Sequence, residues 1–326
     1  HTRFRNVTGV QTCALPILVS LIQNVAGMLG AVVGMGLLIV VAATSTAAAR
    51  HGLPYETWHG THLYVYLAMA FGFLHQLTVG ADFAGDNLAT ALWVVLYLAA
   101  FGPLVVHRMA WPVWLTVRHR PRIARVEPEN AGCFSIYVEG RDLQNLAVRS
   151  GQFFVLRALT ARDWWHGHPF SISAAPSGQA LRFTVREYGD GTRALRALRP
   201  GTHVLLEGPY GAMHGARWTG RKLLLVAGGI GVAPLRALAE ALPYQPFTAD
   251  LVYRARNADD LVFRGELEAI AARRGLRLHV VAGQRGTDGV GEDPLGPAEL
   301  EMMVPDAAER DIYLCGPNEL MDRVRQ

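Results

Sequence analysis

Charged residues are scarce in this 326-residue chain: they make up 18% of it, whereas 51% of the residues are hydrophobic. Such a composition is apolar for a wholly soluble protein. The chain has three cysteines without paired spacing, which excludes a disulfide framework and a cysteine-based zinc site. A dispersed net charge of +4 gives no reason to expect nucleic acid as a partner. The length leaves room for two or three domains.

The start of the chain does not follow the pattern of the rest. Residues 7–17 (VTGVQTCALPI) resemble the translation of a sequencing-library adaptor. We therefore treat residues 1–17 as an artefact and leave them out of the fold prediction, as one would a fusion scar. Native sequence would then begin near Leu18 with an upstream part missing. A genuine N-terminal segment is the alternative.

Long uncharged runs are the first positive signal. These runs are residues 18–43, 61–79 and 88–106. Each is long enough to cross a hydrocarbon core about 30 Å thick, so they predict three spans of a larger α-helical transmembrane bundle over residues 18–117. Four glycines of the first run would allow close helix packing. They are Gly27, Gly30, Gly34 and Gly36.

The charges around these runs predict their orientation. Arg50 lies in the first connection, the second connection has acidic residues but no Lys or Arg, and arginines dominate after the third run. The positive-inside rule places the first connection and everything after residue 106 in the cytoplasm. Trp111, Pro112 and Trp114 are typical of an interfacial anchor. We expect a multi-pass protein of the cell (plasma) membrane, with the lipid bilayer as a partner.

Two histidines stand inside the second run. His62 and His75 are thirteen residues apart, or roughly 20 Å along a helix axis. That separation suits two haems, one near each face of the bilayer, and an ionisable residue inside a span is a functional hypothesis by default. On an ideal helix the two side chains point about 140° apart, so a bend is required. The alternatives are His59 in place of His62, and a structural pair hydrogen-bonded to neighbouring helices.

After Arg118 the pattern changes to short alternating runs separated by Gly and Pro turns. This predicts a small antiparallel β-barrel over residues 118–217. The predicted strands are residues 134–139, 152–157, 181–186 and 203–207. A further extended run is His168-Pro169-Phe170-Ser171, in which Pro169 keeps His168 out of the helical region. The run could present polar groups to a flat ligand, or it could be an ordinary buried strand end.

A glycine-containing turn follows one of these strands and leads into a short helix, predicted at residues 192–198. Arg186 and Thr192 flank the sequence Gly189-Asp190-Gly191. A helix N-terminus with glycines before it and a cation nearby is suited to bind an anion, such as a flavin pyrophosphate. An ordinary strand–turn–helix with an exposed Arg186 is the alternative.

The last third of the chain predicts a doubly wound α/β domain over residues 218–326. An apolar strand runs directly into the motif GGIGVAP. The spacing of Gly229 and Gly231 lets backbone N–H groups face a pyrophosphate, and Pro234 suits the first turn of the following helix. The predicted strands are residues 222–227, 250–254, 277–282 and 311–315.

Three arginines are candidates for the 2′-phosphate that distinguishes NADPH from NADH. Arg254 and Arg256 follow the second strand of this domain, where that phosphate would be met, and Arg285 is a further candidate. The sequence therefore favours NADPH slightly, with unspecific surface arginines as the alternative.

The fourth strand ends in Cys315-Gly316-Pro317. Ligands bind at the carboxyl ends of such strands, so Cys315 is expected near a nicotinamide, with a buried structural cysteine as the alternative. One more strand is expected after Gln326, so we expect the C-terminus to be truncated.

Taken together, these motifs resemble the ferric reductase/NADPH oxidase superfamily of transmembrane flavohaem reductases. The second half also resembles ferredoxin–NADP reductases. The resemblance covers nearly everything from Leu18 to the end and is carried by the paired histidines, HPFS, GGIGVAP and CGP. It implies an oxidoreductase with FAD, NADPH or NADH, and two b haems. Its acceptor would be a small molecule, a ferric chelate or dioxygen.

The resemblance also implies roles for residues. Those implied to contact the flavin or hold the FAD phosphates are His168, Pro169, Phe170, Ser171, Val185, Arg186 and Thr192. Those implied to bind NAD(P)H are Gly229, Gly231, Pro234, Arg254, Cys315, Gly316 and Pro317. Ser171, near the reactive flavin nitrogen, and Cys315, near the nicotinamide, would be catalytic. His62 and His75 match the later of the family's two haem-ligating helices and would bind iron.

Two features of the family are absent from this sequence. The earlier haem-ligating helix is missing, and so is the C-terminal aromatic residue that covers the flavin. Two other functions therefore stay open. One is a membrane-anchored flavin reductase without a haem relay, and the other is an inactive truncated fragment. The sequence predicts no particular oligomeric state.

Overall fold

The computed structural model describes residues 5–52, 55–80, 83, 86–130, 132–161, 164–283 and 295–324. Residues 1–4 of the segment excluded above lie outside the described residues. The chain forms two compact units, His1–Pro103 and Leu104–Gln326. This division falls earlier than the predicted boundary at residue 117, so residues 104–117 belong with the second unit.

The first unit is helical. Its helices are α1 Arg5–Asn24, α2 Met28–His51, α3 Tyr55–His62, α4 Tyr64–Val79 and α5 Asn87–Val105, which continues into the second unit. Two of the predicted spans are interrupted, one at Val25–Gly27 and the other at Leu63. The predicted spans over residues 18–43 and 61–79 therefore do not each form one unbroken α-helix, although Leu63 itself keeps helical φ and ψ angles. An uncharged run indicates an apolar environment but does not require an unbroken helix.

Glycines bring α2 close to α4. A Cβ atom on Gly27, whose φ is +82°, would lie 2.6 Å from Thr78 Oγ1. One on Gly34 would lie 3.1 Å from the Ala68 carbonyl oxygen. The glycines that face α4 in this way are Gly27, Gly30 and Gly34. The expected glycine packing is found for these three, whereas a Cβ atom on Gly36 would meet nothing described within 4 Å.

Among the described residues, two helical segments are long and apolar enough to cross a membrane. They are Met28–Thr46 and Asn87–His119. Only 11% and 0% of their apolar windows are buried, so neither is a buried core helix in this structure. The 16-residue α4 is shorter than the roughly 20 residues that a perpendicular span requires. Length and composition alone are weak evidence for a membrane bundle, because a signal sequence meets the same criteria.

The second unit begins with the end of the long helical segment. A π-helical turn, Val106–Ala110, joins α5 to α6, Trp111–His119. Six strands follow: β1 Arg122–Pro128, β2 Cys133–Glu139, β3 Phe153–Ala158, β4 His168–Ser171, β5 Ala180–Arg186 and β6 Val204–Tyr210. A short helix, α7 Gly189–Arg196, lies between β5 and β6, so it starts before the predicted residue 192.

These strands form two antiparallel sheets, in the orders β1-β2-β5 and β4-β3-β6. Isolated bridges from Arg122 to His203 and from Ile172 to Phe183 join the two sheets. Phe134 and Phe154 pack with the other apolar side chains in the interior between them. The antiparallel β domain is as predicted, except that β1 was missed.

The α/β domain follows. Its elements are β7 Leu223–Gly228, α8 Val232–Ala241, β8 Ala249–Ala255, α9 Arg264–Arg274, β9 Leu276–Ala282, α10 Pro297–Met303, β10 Asp311–Cys315 and α11 Asn318–Val324. All strand pairs are parallel, in the order β10-β7-β8-β9. This confirms the doubly wound sheet. The chain changes direction between β7 and β10, and ligands bind at the carboxyl ends of strands at such a point.

A shared carboxylate joins the β domain to the α/β domain. Glu266 of α9 accepts hydrogen bonds from Arg182 of β5 at 2.9 and 3.0 Å and from Arg236 of α8 at 2.6 Å. Both guanidinium groups also donate to the Ser173 carbonyl oxygen, at 2.9 Å. The Arg182 guanidinium lies 4.6 Å from the centre of the Phe263 ring. Because both arginines are more than 90% buried, these contacts fix the angle between the domains.

Removing this carboxylate should destabilise the second unit. We expect Glu266→Ala to lower the free energy of unfolding by about 1–3 kcal/mol, because two buried guanidinium groups lose their partner. The value lies below that for a fully buried pair because Glu266 is 38% exposed. Denaturant unfolding measures the change. The matched control is Glu268→Ala on the same helix, whose exposed pair with Arg264 should contribute less than about 0.5 kcal/mol. Equal effects would contradict the assignment.

The same carboxylate predicts a pH dependence. Burial raises the pKa of Glu266, but hydrogen bonds from Arg182 and the charge of Arg236 outweigh it and hold the pKa below its usual value. Its stabilising effect is therefore complete above the usual carboxyl pKa of about 4.3 and is lost as pH falls through the lowered pKa. Unfolding free energies measured down this range should fall less steeply in Glu266→Gln than in the unaltered protein.

Candidate functional site

Strand β4 carries the sequence HPFS at the edge of its sheet. It pairs with β3 alone, from Leu156 opposite His168 to Phe153 opposite Ser171. Side chains two apart on a strand share a face, and the rings of His168 and Phe170 lie parallel, 4° apart in plane with centroids at 5.8 Å. Both residues are half-buried, whereas Pro169 is exposed. The strand thus presents two parallel, partly open rings and ends at the half-buried Ser171.

The first turn of α7 lies against this strand. A Cβ atom on Gly191 would stand 3.0 Å from His168 Cε1, so the turn and the ring lie in close contact. The Tyr188 N–H donates to Thr192 Oγ1 at 2.6 Å, and that hydroxyl donates to the Gly189 carbonyl oxygen at 3.2 Å. Thr192 therefore organises the turn that was predicted to hold an anion.

Strand β5 ends in Val185 and Arg186, just before the turn that leads into α7. The Val185 side chain is 2% exposed and belongs to the interior of the β domain, so only its backbone can meet a ligand. Arg186 is exposed, and its guanidinium lies 3.7 Å from where a Cβ atom of Gly229 would be. The end of β5 thus reaches the glycine turn of the α/β domain.

The glycine turn of β7 and the turn after β10 touch through bare backbone. A Cβ atom on Gly231 would lie 2.2 Å from the Cys315 carbonyl oxygen. One on Gly228 would lie 2.8 Å from Pro317 Cδ and 3.3 Å from Gly316 Cα. The structure therefore brings together the two motifs that the sequence placed at this edge.

The residues around this contact have distinct roles. Gly229 adopts a φ of +54°, which favours glycine, and begins the tight turn. Pro234 is buried as the third residue of α8, where its missing N–H is harmless. Backbone N–H groups at the start of α8 are thus available to an anion.

Cys315 is half-buried beside the glycine turn. Burial raises the pKa of its thiol above the usual value, so the thiol stays protonated at neutral pH. It can contact a ring and donate a weak hydrogen bond, but it is not poised as a nucleophile.

The arginine candidates for the 2′-phosphate differ in their surroundings. Arg254 pairs with Gly228 in the sheet, but it is 8% exposed and its guanidinium donates to the Ala255 carbonyl oxygen. Arg256 is exposed. Arg285 lies outside the described residues.

The sequence prediction missed the groups that hold the two domains together. Arg236 stands in a helix of otherwise mostly apolar residues, with Glu240 four residues on, and this pair was an available signal. Asn130 donates to the carbonyl oxygens of Asp259 at 3.1 Å and of Leu261, so it forms a second link between the domains. No local pattern in the sequence distinguished Asn130.

The two candidate haem ligands lie in the first unit, on either side of the interruption at Leu63. His62 is exposed, with Nδ1 at 3.3 Å from Ser45 Oγ and its ring stacked on Trp58 at 4.9 Å. His75 Nδ1 is buried and has no hydrogen-bond partner in the described part of the chain. Within those residues no group of three or more His, Cys, Asp or Glu could hold a metal ion.

Two family models match the second unit. Residues 125–214 match an FAD-binding domain, and residues 225–326 match an oxidoreductase NAD-binding domain. Ferredoxin–NADP+ reductase from Plasmodium falciparum has the same fold, with a TM-score of 0.51, 16% identity and coverage of 63% of this chain and 87% of that one. Residues 125–326 form a ferredoxin–NADP reductase-type FAD/NAD-binding unit. The predicted FAD-binding and NAD-binding domains are thereby confirmed.

Further comparisons agree with this FAD/NAD-binding unit. The cytochrome b5 reductase domain of Ulva prolifera nitrate reductase has a TM-score of 0.51 at 17% identity, covering 63% of this chain and 90% of that one. The reductase subunit of glycine betaine monooxygenase from Chromohalobacter salexigens is 35% identical over 226 residues, 65% of this chain and 61% of the relative. NADPH oxidoreductase from Mycobacterium tuberculosis is 27% identical over 224 residues, 66% of this chain and 57% of the relative. The chain thus spans about three fifths of the length of these two relatives.

The residues of the FAD/NAD-binding unit fit both cofactors. Gly229 is partly exposed and leaves its backbone open at the start of α8, where a pyrophosphate would lie, and the missing side chain of Gly231 lets the turn after β10 pack against this turn. His168 and Phe170 offer parallel rings to a flat isoalloxazine. Arg186 supplies a cation between the two sites.

The backbone contact at Gly231 gives a direct test. Gly231→Ala should raise the KM for NAD(P)H by roughly tenfold or more, equivalent to about 1.4 kcal/mol, because the added methyl group forces the two turns apart. Bound flavin should stay unchanged. The control is Gly265→Ala, where a Cβ atom meets nothing described within 4 Å. A KM that is equally unaffected in both variants would argue against a nucleotide site at these turns.

Proposed function

We propose that this chain is a membrane-bound oxidoreductase that takes electrons from NAD(P)H in the cytoplasm. It delivers them through FAD and two haems to a ferric chelate or dioxygen on the other side of the bilayer. The observation that carries the proposal is the meeting of Arg186, at the end of the flavin strands, with Gly229 in the dinucleotide turn. A nicotinamide and a flavin held by these elements would lie in one cleft.

The chain's own residues divide the work in this cleft. Arg186 and the first turn of α7 neutralise and orient the FAD phosphates, while His168 and Phe170 support its ring. Ser171 offers a hydroxyl at the reactive edge of the ring, and Cys315 a protonated thiol beside the nicotinamide. When bound, FAD supplies the conversion of a two-electron hydride into single electrons.

The choice of dinucleotide follows from the arginines after β8. The buried Arg254 has a carbonyl partner already, so the exposed Arg256 is the better candidate for a 2′-phosphate. We propose NADPH as the preferred donor on this basis, with NADH accepted more weakly.

The haem part of the proposal is supported by His75. An ionisable residue inside an apolar helix is a functional candidate by default, and the Nδ1 atom of His75 has no hydrogen-bond partner among the described residues that would indicate a structural role. His62 lies on the other side of Leu63, at the end of α3. Each of these two histidines would hold one haem, and each haem would need a second ligand from another helix or chain.

A second candidate function is a membrane-anchored flavin reductase that serves another protein. The relative from Chromohalobacter salexigens is named as the reductase subunit of a monooxygenase, which favours delivery of electrons to a partner. In that case His62 and His75 would serve helix packing alone.

The flavin site is tested by Arg186→Ala. Loss of the phosphate-facing cation should release FAD and abolish NAD(P)H-dependent reduction of ferricyanide, while added FAD restores part of the rate. Flavin fluorescence after gel filtration measures the loss. Arg217→Ala removes an equally exposed charge elsewhere on the domain and should change neither value. Retention of FAD by Arg186→Ala would remove Arg186 from the site.

The two candidate functions are separated by His75→Ala. If His75 ligates haem, membranes containing this variant should lose part of the b-type absorbance reduced by NADPH but keep ferricyanide reduction. His107→Ala, an exposed histidine after α5, is the control and should keep both. Identical haem spectra in all three proteins, or no haem in any, would leave the anchored reductase as the function.

A further inference from the structure

Helix α6 shows an apolar face to the outside of the second unit. It buries Pro112, Leu115 and His119 against the β domain. On its other side Val113, Trp114 and Val117 are 54%, 51% and 68% exposed. Trp111, at the start of the helix, is exposed as well and stacks on Trp114 at 4.9 Å.

The end of α6 is fixed to the β domain. The buried His119 places Nδ1 at 2.8 Å from the Arg141 carbonyl oxygen, and the Arg141 N–H donates to the His119 carbonyl oxygen at 2.6 Å. Arg118 forms an ion pair with Asp142 at 2.7 Å. A Cβ atom on Gly140 would lie 2.7 Å from the His119 carbonyl oxygen, so the contact depends on a glycine. The exposed apolar face therefore has a fixed position relative to the residues that follow.

Those residues line an open cavity of about 580 Å³. We call this cavity the basic cavity. It is lined by Arg120, Arg122, Glu139, Gly140, Arg141, Gln179 and His203. Glu139 is the only carboxylate in this set, against three arginines and a histidine. Among the residues that the structure describes, no acidic side chain lies within ion-pair distance of Arg120, Arg122 or Arg141.

Register explains why these cations converge. Arg122 of β1 pairs with Glu139 of β2, and it also forms a β-bridge with His203. The three residues therefore lie at one end of the β domain. Arg120 adopts a φ of 46° at the end of α6, which turns the chain towards β1. A guanidinium group can form bidentate hydrogen bonds with a phosphate group.

We propose that the basic cavity binds the phosphate of an anionic phospholipid while the apolar face of α6 lies in the membrane interface. An aromatic, apolar helix face beside a cationic cluster is the arrangement that binds at anionic bilayer surfaces. A site for a soluble anion would not explain the exposed tryptophan and valines. The proposal rests on membrane attachment of the chain, as proposed above, but not on the haem relay.

The full chain in a mild non-ionic detergent provides the test. It is offered equal amounts of phosphatidylglycerol and phosphatidylcholine, and native mass spectrometry counts the lipids that it retains. We expect a preference for phosphatidylglycerol of roughly fivefold, which weakens as salt is raised to about 0.5 M. The variant Arg120→Gln/Arg122→Gln/Arg141→Gln should lose that preference. The control Arg149→Gln/Arg217→Gln/Arg221→Gln removes the same charge from exposed positions outside the cavity and should keep it.

Two further measurements decide between the outcomes. Val113→Ser/Val117→Ser should reduce lipid retention without changing bound flavin, whereas a soluble-anion site would be indifferent to it. Displacement of phosphatidylglycerol by millimolar inorganic phosphate would overturn the lipid assignment, as would equal retention of both lipids. If the triple variant loses its flavin and is unfolded, the proposal is still decided by three measurements: the salt dependence of lipid retention, displacement by phosphate, and the Val113→Ser/Val117→Ser variant. Retention of neither lipid would instead contradict membrane attachment itself.

Discussion

The ion pairs of Glu266 are the constraint on which the FAD/NAD-binding unit depends. Arg182 and Arg186 lie on the same strand, so anchoring Arg182 to α9 also sets where Arg186 stands. Arg236 of α8 donates to the same carboxylate, and the first turn of α8 is the dinucleotide site. One buried cluster therefore fixes both walls of the cleft. A change in its charge acts on the distance between the two cofactor sites before it acts on either site.

The cleft itself is built largely from backbone. Gly229 leaves its backbone open, while at Gly228 and Gly231 the turn after β10 occupies the space that a side chain would fill. Such a surface recognises phosphate through N–H groups and leaves few charges to titrate. The protonated thiol of Cys315 and the cation of Arg186 fit a site in which position, more than acid–base chemistry, is what the protein contributes.

Much of this architecture could be predicted from local pattern, because solvent separates apolar from polar positions along each element. The four strands of the α/β domain and the two motifs at its switch point were predicted in this way. Strand β1 was missed because a register shift between Ile123 and Arg125 breaks its alternation. The break before α2 follows from the φ of +82° at Gly27, and the Glu266 cluster joins residues far apart in sequence. Neither leaves a periodic signal.

The contact between Gly231 and Cys315 has a bearing on how the protein matures. The first half of the dinucleotide pocket is made as soon as β7 and α8 emerge, but its other wall belongs to the last strand and turn of the sheet. During synthesis the flavin-binding strands are therefore complete well before the chain can bind a nicotinamide. A partly synthesised chain therefore passes through a stage in which its FAD-binding strands are complete but its NAD(P)H site is not.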